Sequence, residues 1–478
     1  MFSFRAAVPV VLVGAISLVG TACQDVVAPE ISPDDRVAAD RTTDPGAQQV
    51  GGWSIAHEFA RVAREEVPGF GGYYLDETGR VNIQLKNPGQ RDRALAALSR
   101  AFARDRAHGG RGGPDVANHR VIQARYDYIE LKGWRDRARE LFGMKGLHLL
   151  EIDDVRNRVR LIVDGEASRS SFRAQLAMLG IPAEAVIVEI GDPVVSETFF
   201  ELGEPTITPQ NMPVDGGGSG GGGSTAAKTL QDPYRPLVGG LEIWYVGRNG
   251  LNYPCTYGAN VRENSYYALQ FVTASHCSRQ SGIADGTPFT QGHFENEASI
   301  GYEREDPPFS GSPQASGTPC HASTCRYSDM SVAVLQDNNY KFGEIAKTSF
   351  SHQYDGSKVI SGRFKITAQL WIPLAPPAYG MQFDKVGAAT GWTTGAVTNP
   401  CADVTVTRDG FLYGFFCQTI VNAGAAGGDS GAPVFRRWGS DDVTFYGILW
   451  GGTATTFTFS TVFGMANDGI GIDAVSEN

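Results

Sequence analysis

Residues 427 to 434 read GGDSGAPV and set one serine, Ser430, between an acid and a row of glycines. A hydroxyl is a poor nucleophile at its own pKa, so a reactive serine needs a general base and donors for the negative charge it creates. Glycines can supply those donors, because a backbone without Cβ reaches torsions that turn its N–H toward a reacting atom. The base must come from elsewhere. FVTASHCS (271 to 278) closes an apolar run on His276, one residue before a cysteine, and YSDMSVAVL (327 to 335) sets Asp329 directly before another apolar run. Singly, such a histidine is as readily a satisfied structural group, and such an acid is more often a turn residue. Together they complete a nucleophile, a base and an orienting acid. Ser430 attacks a carbonyl, His276 takes its proton and returns it to the leaving amine, and Asp329 holds the imidazole tautomer. The N–H groups of Gly428 and Ser430 would then bind the oxyanion, and Asp429 is expected to pin the loop rather than join the reaction.

These motifs resemble those of the chymotrypsin-like serine peptidases, where a TAxHC stretch carries the base, a DxALL-like stretch the acid and GDSGGP the nucleophile. The order His276, Asp329, Ser430 is that of chymotrypsin, unlike those of subtilisin and the α/β-hydrolases. GDSGAPV also fails the α/β-hydrolase pattern G-x-S-x-G, because Ala432 stands at the second glycine. The resemblance is closer to the bacterial secreted branch, the α-lytic protease and streptogrisin group. It is carried by PLVGGLEIWYV (236 to 246), VGAATGWTTGAVT (386 to 398) and YGILWGG with TFTFSTVF. It implies an all-β, chymotrypsin-like double antiparallel β-barrel and a substrate pocket that includes Leu449, Trp450, Gly451 and Gly452.

Two departures matter. Leu449 and Trp450 stand where the family has a serine that hydrogen-bonds the catalytic acid, so the support of Asp329 has no assigned residue. Six residues before Ser430 lies Gly424, where a trypsin-like pocket needs an acid. Cleavage after Lys or Arg is therefore not expected, and Leu449 and Trp450 would favour small or medium apolar side chains.

The elements that must position these groups follow from hydrophobic pattern. LEIWYV, YALQFVTA, SVAVL, GRFKITAQLWI, VTVTRDGFLYGFF and VTFYGILW are short strand-like runs separated by turn residues, which suits an all-β domain over 231–478. Ahead of it, residues 206–230 contain VDGGGSGGGGSTAAKT, a Gly/Ser tract that behaves as a flexible tether. Residues 51–205 mix both periodicities. GGYYLDETGRVNIQL reads as a hairpin around Asp76 to Gly79. RDRALAALSRAFARDR, with Leu95, Leu98 and Phe102 on one face, is an amphipathic helix with a solvated basic side. GWRDRARELFGMKG places Trp134, Ala138, Leu141 and Phe142 on a helical face, and LHLLEIDDVRNRVRLIV gives a second hairpin near Asp154 to Asn157. A helix around Phe172, Leu176 and Leu179 precedes the strand AVIVEI. This α+β module resembles the pro-region of the same secreted group, which implies a folding aid and tight inhibitor that the enzyme cleaves away between the Gly/Ser tract and Leu237.

The first residues, MFSFRAAVPVVLVGAISLVGTAC, place Arg5 ahead of a short apolar run and read as an export signal over 1–22, followed by a disordered spacer over 23–50. Cys23 directly after Ala22 fits a lipoprotein site, although Gly20 stands where leucine is usual. Lipid anchoring at Cys23 and ordinary signal removal both stay open. The chain has 478 residues, a net charge of -11 and 7 cysteines. The acidic balance argues against a nucleic-acid partner, and no later stretch reads as membrane-spanning. Besides Cys23, the cysteines are Cys255, Cys277, Cys320, Cys325, Cys401 and Cys417, an even set that suggests disulfides in an exported domain. Proximity pairs 255 with 277, 320 with 325 and 401 with 417. Zinc at cysteines near His276 and His321 is the competing reading, but the spacings match no compact ligand pair, and no metal or cofactor is expected. The expected function is an exported, disulfide-containing serine endopeptidase acting on protein or peptide substrates, secreted or held at the envelope through Cys23. The alternative is a catalytically impaired protease fold kept as a binding module.

Overall fold

The computed structural model describes residues 55–107, 113–193, 227–263, 269–292, 299–309, 324–349, 356–370, 377–408, 411–439 and 441–475. The expected signal, Cys23, the spacer, most of the Gly/Ser tract, Cys320 and His321 lie outside them. Residues 50–478 form one compact unit.

The N-terminal part carries helix α1 (Ile55–Arg61), strands β1 (Phe70–Leu75) and β2 (Val81–Leu85), helix α2 (Arg91–Ala107) and β3 (His119–Gln123). Then come α3 (Tyr128–Ala138), β4 (Leu147–Asp153), β5 (Arg158–Val163), α4 (Glu166–Met178) and β6 (Val186–Ile190). The two hairpins fall where the turn residues put them. Asp76 Oδ1 accepts from Thr78 and Arg80 N–H at the first, and at the second Asn157 adopts φ 55°, a left-handed value that asparagine tolerates. In α2 the buried face is Ala94, Ala97, Leu98, Ala101 and Phe102, at helical spacing, with the arginines Arg91, Arg93 and Arg100 exposed. Helix α3 starts with a capping box: Asp127 accepts from the N–H of Glu130, whose carboxylate accepts from Asp127 N–H.

The C-terminal part is built almost wholly of strands: β7 (Leu237–Gly239), β8 (Glu242–Val246), β9 (Asn252–Thr256), β10 (Ala259–Glu263), β11 (Gln270–Ala274) and β12 (Pro288–Thr290). Next are β13 (Ser299–Glu305), β14 (Cys325–Arg326), β15 (Met330–Leu335), β16 (Tyr340–Thr348), β17 (Ile360–Gln369) and β18 (Gln382–Gly387). The chain continues through β19 (Gly391–Arg408), β20 (Phe411–Val421), β21 (Pro433–Arg437), β22 (Asp442–Gly452), β23 (Phe457–Thr461) and β24 (Ile472–Asp473). One sheet runs β24-β10-β11-β15-β13-β12-β8-β9. In the other, antiparallel pairings run from β18 through β19, β20, β23, β22 and β21 back to β18, so this set closes on itself, while β17 pairs along β22 and β14 along β20. Phe383, Phe435, Phe445, Ile448 and Phe459 are fully buried in the core.

The two parts share a sheet. β4 pairs antiparallel with β19, Leu150 opposite Asp403 and Leu149 opposite Val404, so β5 and β6 extend the C-terminal sheet. Arg139 donates twice to Asp403, at 2.6 and 2.8 Å, with Arg139 5% and Asp403 0% exposed. Phe142 packs on Phe416 at 5.2 Å between ring centroids. The last residues of the expected tether are not free: Thr229 bridges Val359, and the N–H of Leu230, a fully buried residue, donates to the Lys358 carbonyl. Disulfides join Cys255 to Cys277 and Cys401 to Cys417. Cys325 is also a disulfide half, and its expected partner Cys320 lies outside the described residues.

Candidate active site

His276 and Asp329 meet because of strand register. β11 and β15 are antiparallel with Ala274 opposite Met330, so the residues just after Ala274 and just before Met330 emerge at the same end. The ladder runs one step further, Ser275 N–H donating to the Asp329 carbonyl at 3.2 Å, and a tight turn over Ser275–Cys277 then presents the imidazole. The Cys255–Cys277 disulfide ties that turn to β9. Ser430 lies in the turn before β21, and its carbonyl accepts from Thr256 N–H of β9 at 2.7 Å. One strand, β9, thus anchors both His276 and Ser430.

The structure brings the three residues into one line. His276 Nδ1 and Asp329 Oδ2 are 2.5 Å apart, and His276 Nε2 and Ser430 Oγ are 2.7 Å apart. All three are buried, at 2%, 1% and 0% exposure. With Nδ1–H donating to the carboxylate, Nε2 carries the lone pair and accepts from the serine hydroxyl, the tautomer needed for proton abstraction. Burial works against the charge on Asp329, but the His276 and Arg326 partners outweigh it and hold the carboxyl below its usual range.

The loop around Ser430 is held by its neighbours. Gly428 has φ +100° and Gly431 +91°, both left-handed. A Cβ at Gly431 would meet the Thr256 carbonyl oxygen at 2.2 Å and Thr273 Oγ1 at 2.3 Å, so this position takes glycine only. The Gly428 carbonyl accepts from Thr256 Oγ1 at 2.7 Å, which fixes that peptide's direction. Among the described residues the N–H groups of Gly428 and Ser430 donate to no protein acceptor. Asp429 points into the body, where its Oδ2 accepts from Lys385 Nζ at 2.9 Å and from Thr390 Oγ1 at 2.6 Å, and its Oδ1 from Ala389 and Thr390 N–H.

Sequence reasoning missed the groups around the acid. Arg326 Nη2 donates to Asp329 Oδ1 at 2.7 Å, and Ser460 Oγ of β23 accepts from Asp329 N–H at 2.9 Å. Support for Asp329 therefore comes from β14 and β23, not from the strand that holds Leu449 and Trp450. The available signal was the three-residue spacing of Arg326 and Asp329. Lys385 carried none. Leu449 and Trp450 are fully buried, and Gly451 and Gly452 are buried too. The Trp450 indole N–H donates to Gln418 Oε1 at 2.7 Å, and its ring lies 4.5 Å from Phe415. Gly424 is buried and bears no charge, as its type requires. Beside His276 and Asp329 a small cavity is walled by Phe309, Val406, Arg408, Tyr413 and Phe415, so the β19–β20 hairpin reaches back over Asp329. Among the described residues no cluster of His, Cys, Asp or Glu has the geometry of a metal site, and no helix is long and apolar enough to cross a membrane.

No family model matches the chain, and no curated protein matches it. Among solved structures it is similar to a glutamic acid specific serine protease, at 20% identity and a TM-score of 0.32, over 50% of this chain and 100% of that one. It is similar also to Thermobifida fusca Protease A, at 21% identity and 0.34 over 50% and 99%. A Nocardiopsis protease follows at 18% identity and 0.32 over 49% and 98%. At these scores the overlaps carry no argument about function, which has to rest on the geometry of the site.

Proposed function

We propose that the chain is an exported serine endopeptidase of the chymotrypsin-like kind, made as a pro-enzyme and acting through an acyl-enzyme. The observation that carries this is the buried line from Ser430 Oγ through His276 to Asp329, with links of 2.7 and 2.5 Å. In this reading Ser430 attacks the scissile carbonyl as its proton passes to His276 Nε2. The tetrahedral oxyanion is received by the N–H groups of Gly428 and Ser430, each such donor being worth roughly 3 to 4 kcal/mol of barrier. The imidazolium, steadied by Asp329, gives its proton to the leaving amine. Water then repeats the sequence to release the acid. Leu449, Trp450, Gly451 and Gly452 belong to the wall of the pocket, and with glycine at 424 that pocket selects against Lys and Arg.

The N-terminal module is proposed as a pro-region, a folding aid and inhibitor removed by self-cleavage between the Gly/Ser tract and Leu237. Its strand pairing with β19 and the buried Arg139–Asp403 pair support it. The disulfides support export.

The test is pre-steady-state hydrolysis of a peptide p-nitrophenyl ester by the full chain. A burst of nitrophenol equal to the enzyme concentration, absent from Ser430→Ala and His276→Ala, is expected. A folded chain cut between the Gly/Ser tract and Leu237, and so free of the proposed inhibitor, with no turnover of esters or peptides would instead favour an impaired protease fold that serves as a binding module.

A further inference from the structure

The acid of the candidate triad has a second partner. Asp329 gives Oδ2 to His276, while Oδ1 accepts from Arg326 Nη2 at 2.7 Å. Arg326 is 2% exposed, and its other terminal nitrogen donates to Asp306 Oδ1 at 2.7 Å and to the Pro307 carbonyl at 2.6 Å. The guanidinium lies 4.1 Å from the Phe309 ring centroid, a stacked position that further restricts it. Asp306, 7% exposed, uses Oδ2 to accept from Ser275 Oγ at 2.7 Å and Gly282 N–H at 2.6 Å. Ser275 is the residue before His276. One arginine therefore joins the orienting acid to the turn that carries the base.

We propose that Arg326 and Asp306 are positioning residues of the triad: a buried clamp that fixes Asp329 and the His276 turn relative to each other, with Asp306 neutralising the arginine. This rests on the serine-peptidase reading. A planar guanidinium can span two carboxylates with fixed directions, which an ammonium cannot. With Oδ1 held, the Asp329 carboxylate cannot rotate away from Nδ1. A lone cation here would also oppose the positive charge that builds on His276 during catalysis. Asp306 removes that penalty, because the clamp then adds no net charge beside the acid. Other ionisable groups facing the cluster are Glu303 of β13, a buried carboxyl that burial and then the charge of Asp306 push up to about 9, Asp468, which accepts from Tyr327 and Ser328 N–H, Arg408, which donates to Ser281 Oγ, and Tyr245, whose hydroxyl donates to the His276 carbonyl.

The experiment measures kcat and KM for a peptide amide from about pH 5 to about pH 9, the range over which a histidine base titrates. It compares the full chain with Asp306→Asn, Arg326→Lys and the neutral double variant Arg326→Met/Asp306→Asn. The double variant removes the clamp without leaving a lone buried charge, and kcat should fall by about 10 to 100-fold with KM little changed, as expected for a misplaced catalytic group. Asp306→Asn leaves the arginine uncompensated and should move the acid limb of the rate profile to lower pH by about one unit, whereas the double variant should not. Arg326→Lys should not restore the rate. A folded double variant with the parent kcat, or Asp306→Asn with an unmoved acid limb, overturns the proposal. Asp306→Asn decides alone should the double variant fail to fold. An unmutated chain that is folded but turns over nothing removes the parent reading as well, and so separates the two failures.

Discussion

Lys385 and Asp429 are both fully buried and meet at 2.9 Å one residue away from Ser430. Removing one member of a buried pair leaves an uncompensated charge, which typically costs about 3 to 5 kcal/mol. Lys385→Met in a Ser430→Ala background, which prevents self-digestion, should lose about that much by urea unfolding, and a loss below about 1 kcal/mol would show that the loop does not depend on the pair. Gly431→Ala should fail more completely, since its Cβ meets backbone and Thr273 at once. At this scale the sequence was most legible. His276, Asp329 and Ser430 sit in short, distinctive stretches, and the structure brings the three side chains into one hydrogen-bonded line. Arg326, Asp306 and Lys385 were invisible because each finds its partner through strand register or chain reversal, and only the Arg326–Asp329 spacing is local.

Among the elements, the β19–β20 hairpin does the most. It carries the Cys401–Cys417 disulfide, takes β4 on its edge, and reaches back to wall the cavity beside His276 and Asp329. The seam with β4 includes Glu151, which accepts from Asn399 Nδ2 at 2.8 Å and Arg160 Nη1 at 2.9 Å. Burial pushes Glu151 up to about 7 from an ordinary 4.5, despite the opposing pull of Arg160 and Asn399. A folded-state value above the unfolded one means that the native form binds the proton more tightly. The stability Glu151 contributes is therefore full below about 4.5 and is lost as pH rises through about 7. Against Glu151→Gln in the Ser430→Ala background, the parent should lose relative stability between about pH 5 and about pH 8 in urea unfolding. A difference that does not vary with pH would contradict this. In the N-terminal part the two hairpins and α2 followed from 2- and 3.6-residue periodicity. Helix α3, by contrast, ends at Ala138, so Leu141 falls in a separate tight turn and Phe142 in extended chain instead of on the expected helical face, and α1 was not read from the pattern. The seam itself did not follow from periodicity, because pairing between strands far apart in the chain leaves no local pattern.

For the molecule as a whole, residues 50–478 form one compact unit in which a cysteine-poor α+β part adds strands to a disulfide-bearing β part. Long-range strand pairing makes such a β part slow to fold, and an exported protease gains more from a high unfolding barrier than from equilibrium stability. An attached module that already supplies β4 as a template, and that the proposed self-cleavage would remove, is consistent with both needs. The composition changes at the Gly/Ser tract, but the compact unit runs across it from residue 50 to residue 478. What the composition did not reveal is that the tether's last residues, Thr229 and Leu230, dock on the strand region near Val359. The central claim, that Ser430 is an activated nucleophile in a self-processed enzyme, is tested most directly by fluorophosphonate labelling of the expressed chain beside Ser430→Ala, with intact mass of the labelled species. The account predicts one label on Ser430 of a fragment beginning between the Gly/Ser tract and Leu237, and an unlabelled, full-length Ser430→Ala protein. A folded, processed fragment that takes no label would contradict it.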